Sequence, residues 1–153
     1  MKKNLLLLIV FFIAPSIFSQ KAEFITDFLQ AEEADFGQVC YLSAVCQNLV
    51  KDSASETDAF NSIFEQGLIP TGKKPEDKIN YMQAAYIFSK LWDIKGGLLF
   101  RMTRGNPRYA YKQFKNDRVI PLTADPSMIP SGTDILNMFT LCEKKYTTAN
   151  KGE

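Results

Sequence analysis

Residues 59–70, AFNSIFEQGLIP, return fifty-one positions later as AYKQFKNDRVIP, residues 110–121, in the same apolar rhythm. At that offset Ala59 meets Ala110, Phe60 meets Tyr111, Ile63 meets Phe114, and Leu68-Ile69-Pro70 meets Val119-Ile120-Pro121. Pro75 falls on Pro126. Ala84, Ala85, Ile87, Phe88 and Leu91 fall on Ile135, Leu136, Met138, Phe139 and Cys142, with no gap over 33 positions. Identities are few, but almost every apolar position stays apolar. Self-similarity at a fixed period indicates stacked supersecondary units that share one core. It constrains the architecture before it says anything about chemistry.

Each unit reads as helix, loop, helix. The cluster Ser55-Glu56-Thr57-Asp58 supplies N-cap residues and first-turn acids. Phe60, Ile63 and Phe64 follow at helical spacing, and Gly67 offers a left-handed C-terminal cap. Pro70 forces Ile69 out of the helix, and TGKKPED is turn chemistry. The second helix, INYMQAAYIFSKLW, carries the apolar stripe Ala84, Ile87, Phe88, Leu91 and ends before Gly96-Gly97. In the next unit Asn106-Pro107 opens the first helix, and Ser131 or Thr133 caps the last. FGQVCYLSAVCQNL, residues 36–49, adds half a unit by lining up with YMQAAYIFSKLWDI, which sets Gln38 on Gln83 and Cys46 on Leu91. The expected fold is all-α: two and a half helix–loop–helix repeats in one helical bundle.

The first nineteen residues stand apart. Lys2 and Lys3 precede the apolar run Leu5–Ala14, which Pro15 and Ser16 break, and Ser19 is a small residue before a cut. That is the layout of a secretory signal peptide. The run is shorter than the roughly 20 residues of a transmembrane helix, so no stable membrane span is expected after cleavage. The expected organisation is a signal peptide over 1–19, an N-terminal segment over 20–33, a repeat domain over 34–146 and a flexible tail over 147–153. Removing Lys2 and Lys3 lowers Lys+Arg from 18 to 16 against 17 acids, a net charge of –1. Nucleic-acid binding is not favoured by that balance. The charge is unevenly spread: acids dominate between Glu23 and Asp58, and cations dominate between Lys95 and Arg118.

Three cysteines, Cys40, Cys46 and Cys142, leave at least one thiol over in any pairing. Cys46 and Cys142 are both equivalent to Leu91, and equivalent positions in stacked units can meet, so a Cys46–Cys142 disulfide is one expectation. Three buried thiols acting as small hydrophobes are the other.

The pattern of helix, Gly-apolar-apolar turn, Pro-containing loop and second helix resembles the S-layer-homology repeat. AFNSIFEQGLIP…KKPEDKINYMQAAYIF is similar to one unit, YAYKQFKNDRVIP…DPSMIPSGTDILNMF to a second, and ADFGQVCYLSAV to the tail of a third. The resemblance covers about residues 34–145 and implies an exported protein of a bacterial cell envelope, spirochaetal or Gram-negative in style. The family opens its second helix with Thr-Arg-Ala-Glu, the motif that binds pyruvylated cell-wall polymer. This chain has INYM at 79–82 and PSGT at 130–133. The resemblance therefore implies the architecture and not the ligand residues.

The strongest candidate site is FRMTRGNPRYAYKQFK. It places Arg101, Arg104, Arg108, Lys112 and Lys115 beside Tyr109 and Tyr111. On a helix starting at Pro107, residues 108, 112 and 115 share a face, and Arg forks match phosphate and carboxylate geometry. Such a strip either contacts an acidic glycan or is a solvated face paired with the acidic N-terminal third. Trp92 and Phe100 could line a pocket, but aromatic residues at helical spacing more often fill a core. The paired carboxylates in AEEAD and TDAFNSIFE suit helix starts. The sequence has no His, which removes Ser-His-Asp and Cys-His catalysis and most zinc sites. It also has neither a Gly-rich phosphate loop nor a Cys-x-x-Cys pair. No cofactor or metal is expected. The expected function is a non-catalytic envelope module that binds cell-wall glycan or an envelope protein. The alternative is a small secreted hydrolase working through carboxylates or a Ser-Lys pair.

Overall fold

Four helices in the computed structural model, which describes residues 24–147, begin with the same reciprocal cap, three of them where the chain repeats its second helix. Asp35, Asn80 and Ser131 each accept a hydrogen bond from the backbone N–H three residues on, and the side chains of Gln38, Gln83 and Asp134 each reach back to the cap N–H. These reciprocal caps satisfy two donors that a helix start leaves orphaned. They open α2 (Phe36–Cys46), α4 (Tyr81–Leu91) and α7 (Gly132–Cys142). The fourth reciprocal cap, Ser55 with Asp58, opens α3 (Glu56–Glu65), and Asn106 caps α6 (Pro107–Asn116), with Pro107 at the first helical position. A helix over 24–30, α1, precedes them, and a five-residue helix, α5 (Leu98–Met102), lies between α4 and α6. A π-helical turn, Glu143–Thr147, follows α7. The described residues are helical, without strands, as the all-α expectation requires. None of these helices is long and apolar enough to cross a membrane.

The helix starts meet. The N–H of Ile79 donates to the Ala34 carbonyl (3.1 Å), and the N–H of Ala34 donates to the Pro130 carbonyl (2.8 Å). These are the residues just before the caps of α4, α2 and α7, and all are buried. The first free N–H groups of each helix are then taken up by a loop from further along the chain. Phe36 and Gly37 donate to Asp77 and Pro75 (3.0 and 2.8 Å). Tyr81 and Met82 donate to Met128 and Pro126 (3.0 and 3.1 Å), fifty-one residues beyond those acceptors. For α7 the acceptor comes from the other end of the chain, because Gly132 donates to the Ala31 carbonyl (2.9 Å). The ring is closed by α1.

That closure changes the expected domain boundary at residue 34. Phe28 is fully buried and Phe24 lies against Tyr41, their ring centroids 4.5 Å apart, so the described part of the 20–33 segment belongs to the common core. Phe24 and Phe28, four residues apart, form the apolar stripe of α1. Of the two possible caps for α7, Ser131 is the one used, while the Thr133 hydroxyl donates to the Leu29 carbonyl (3.3 Å). The expected signal peptide over 1–19 and most of the expected tail, 148–153, lie outside the described residues.

α2 packs on α3, and α4 on α6. The connections differ in one respect. The caps of α2 and α3 stand at 35 and 55, whereas those of α4 and α6 stand at 80 and 106, a spacing longer by six residues. α5 occupies that extra length.

Candidate functional site

α5 is held by one side chain. Phe100 is buried, its ring fitted between Gly96 and Gly105, where a methyl group would come within 2.4 and 2.6 Å of it. Both glycines have positive φ (53° and 60°), which only glycine adopts without strain. Arg104, also in the left-handed region at φ 54°, ends the helix where glycine would cost less. Two further bonds fix the segment: Lys90 Nζ to the Arg104 carbonyl, and the Gly97 N–H to Gln113 Oε1 (2.9 Å). Trp92 is buried as well, with its ring centroid 5.3 Å from Phe88 and 5.5 Å from Phe139. Trp92 and Phe100 are therefore core residues.

The basic strip divides on either side of α5. Arg101 and Arg104 line a cleft of about 330 Å³ with Lys90, Lys95, Asp93 and Ile94. Asp93 pairs with Lys95 at 2.5 Å. Tyr109 and Lys112 line a second cleft, about 250 Å³, between α5 and α6, with Leu98, Leu99 and Gln113. The Lys112 amine lies 5.4 Å from the Tyr109 ring centroid, and Arg108 is exposed on the same helix. Among the described residues, no hydrogen bond or ion pair engages the guanidinium groups of Arg101, Arg104 or Arg108.

Two residues of the strip belong elsewhere. Tyr111 is buried and donates its hydroxyl to the Ala124 carbonyl. Lys115 follows it inward, with its amine 5.5 Å from the Tyr111 centroid and 2.9 Å from the same carbonyl. Their role is to anchor the loop after α6. The alignment of Tyr111 with Phe60, a core residue, carried that signal. What the strip alone did not show is that Leu98, Leu99 and Met102 stand outward between its two halves, 74, 58 and 71% exposed.

In the structure the thiols of Cys40, Cys46 and Cys142 are all free. Cys46 and Cys142 are brought close, but Cys46 turns its thiol to Glu143 Oε1 (3.4 Å), which also accepts Trp92 Nε1–H (2.8 Å), while Cys142 faces the core. Burial pushes the Cys46 thiol up to about 11, with the Glu143 carboxylate adding to it, and burial also raises Cys40 and Cys142. Since the thiolate is the reacting form, native thiols should react with Ellman's reagent at least about 100-fold more slowly than free cysteine. Three thiols should appear in guanidinium without reductant. A count of one there would establish a bridge.

Two half-buried carboxylates bear on the hydrolase alternative. Asp35 and Glu56 are both raised above the usual carboxylate range by burial, Glu56 further by the charge of Asp35. Asp35 is committed to the Gln38 N–H (2.9 Å) as the cap of α2. Asp58 is drawn the other way, held below its ordinary value by the Ser55 hydroxyl and N–H.

No family model, curated protein or solved structure matches this chain. The functional argument therefore rests on the side chains around α5 and α6.

Proposed function

We propose that this chain is an exported, non-catalytic module of a bacterial cell envelope, built on repeats like those of the S-layer-homology family, that binds cell-wall glycan through the outer face of α5 and α6. The observation that carries the reading is the set of unpaired cations Arg101, Arg104 and Arg108 beside the half-exposed Tyr109 and its Lys112. Guanidinium forks suit the carboxylates and phosphates of an acidic polymer, and an aromatic ring beside them suits a sugar face. A solvated face paired with acidic neighbours would engage these cations, and among the described residues no acid does. The resemblance is supported by loop-to-helix bonds that recur with their acceptors fifty-one residues apart, from Phe36 and Gly37 to Asp77 and Pro75 and from Tyr81 and Met82 to Met128 and Pro126. Of the two raised carboxylates, Asp35 is taken by the cap of α2, and Glu56 stands in the first turn of α3, where an acid suits the helix start.

The test is co-sedimentation of residues 20–153 with protein-free, detergent-extracted sacculi across a salt series. Wild type should pellet at low salt and be released as salt rises. Arg104→Ser/Arg108→Ser, still folded by circular dichroism, should stay in the supernatant. Failure of wild type to pellet at low salt would remove the glycan reading and leave an envelope protein as the partner.

A further inference from the structure

We propose that α5 seats the protein on an anionic lipid surface, with Leu98, Leu99 and Met102 entering the headgroup layer and the flanking cations meeting the lipid phosphates. The segment is an addition to the fold: the connection from α4 to α6 is six residues longer than the equivalent one from α2 to α3, and α5 fills the difference. The shorter connection shows that the helices can be joined without it. Phe100 is the residue of α5 that the core takes. Its neighbours at 98, 99 and 102 stand at i, i+1 and i+4, with Met102 one turn beyond both leucines, and they are large apolar groups left mostly in water. Such groups normally stand singly on a surface; a cluster of them on a rigid projection indicates a partner.

The chemistry around the cluster selects that partner. Arg101 and Arg104 lie on one side of the apolar residues and Lys112 on the other, with Arg108 nearby. Apolar groups rimmed by cations are the pattern of interfacial membrane segments, whose binding combines buried apolar area with attraction to anionic lipid. Long basic side chains can reach headgroups while their stems lie along the apolar surface. Self-association is disfavoured because a second copy would set the same cations against each other. The apolar cluster is also small beside the roughly 800 Å² per partner of a standard protein interface. The lipid reading shares its cations, Arg101 and Arg104 among them, with the glycan reading, but adds the apolar residues of α5 and does not require glycan.

The experiment is flotation of residues 20–153, which contain every buried core residue described, with vesicles of phosphatidylglycerol in phosphatidylcholine and with phosphatidylcholine alone. Wild type should float with the anionic vesicles at low salt, be released by added salt, and stay at the bottom with neutral ones. Leu98→Ser/Leu99→Ser/Met102→Ser should lose at least about tenfold in vesicle affinity with an unchanged melting temperature, because these side chains contribute nothing to the core. Arg101→Ser/Arg104→Ser should lose a comparable factor. Absence of wild-type flotation, equal flotation with neutral vesicles, or full binding by the triple serine variant would each overturn the proposal. Sedimentation velocity runs alongside: a wild-type dimer that the triple variant abolishes would assign the face to a second copy instead. Sacculi carry no lipid and the vesicles no glycan, so the two binding readings fail independently.

Discussion

Gly132→Ala is expected to bring this protein close to unfolding. Gly132 is the first residue of α7, and a methyl group there would lie 1.7 Å from the carbonyl oxygen of Phe28. The obstacle is backbone, so no rotamer change relieves it, and α1 must withdraw. Phe28 then leaves a fully buried site, which costs about 1.5–3 kcal/mol. The bonds from Gly132 N–H to Ala31 and from Thr133 to Leu29 are lost or stretched, at about 0.5–1.5 kcal/mol each. A loss of roughly 3–6 kcal/mol stands against a typical total of about 5–15 kcal/mol. Gly97→Ala is the control: its nearest neighbour would be Gln113 Oε1 at 3.6 Å, and its φ of –78° suits any residue. That variant should melt with wild type. Because the Gly132 change already expels α1, adding Phe28→Ala should cost much less than in the wild-type background, as a double-mutant cycle would show. Additive losses would mean that α1 does not dock on the start of α7.

The same position explains what could and could not be seen beforehand. The caps at Ser55 and Asn106 and the left-handed turn at Gly67 (φ 71°) follow from local chemistry, and local chemistry is written in the sequence. Arg118 stands at the position equivalent to Gly67 and adopts φ 58° without any residue signal for it, because the geometry is imposed by the helix end. The two copies of the first-turn position, Phe36 and Tyr81, are aromatic, whereas the third is Gly132; only the arrival of α1 from the far end of the chain accounts for the difference. A contact over a hundred residues long has no local pattern. The strip was legible as a run of cations, but its faces were not. Tyr111 and Lys115 turn inward because the Ala124 carbonyl lies there. α5 was too short for periodicity to register, and its anchor, Phe100, is recognisable only once Gly96 and Gly105 are seen on either side of one ring.

Phe88→Ala should be the most costly truncation in the core, at about 3–5 kcal/mol. Phe88 is fully buried in α4, with Trp92 one turn on and Phe139 of α7 at centroid distances of 5.3 and 6.4 Å, both edge-on. Trp92 and Phe139 also meet edge-on at 5.5 Å, so the rings form a closed set across two helices. Edge-to-face pairs contribute about 0.5–1.5 kcal/mol beyond the area they bury. Removing the central ring leaves a cavity that cannot easily collapse, since α4 and α7 are fixed at their starts by backbone bonds to other segments. The melting temperature should fall by at least about 10 °C. The chain has a single tryptophan, so its emission reads this site directly, and a red shift is expected as water reaches Trp92 and loosens its bond to Glu143. Phe64→Ala provides the contrast. Phe64 is 38% exposed near the end of α3, where it stacks on Phe60 at 6.0 Å, and its loss should cost clearly less than that of Phe88 with no change in emission. Equal costs at the two positions would mean that the rings of Phe88, Trp92 and Phe139 do not form the centre on which the two helices pack.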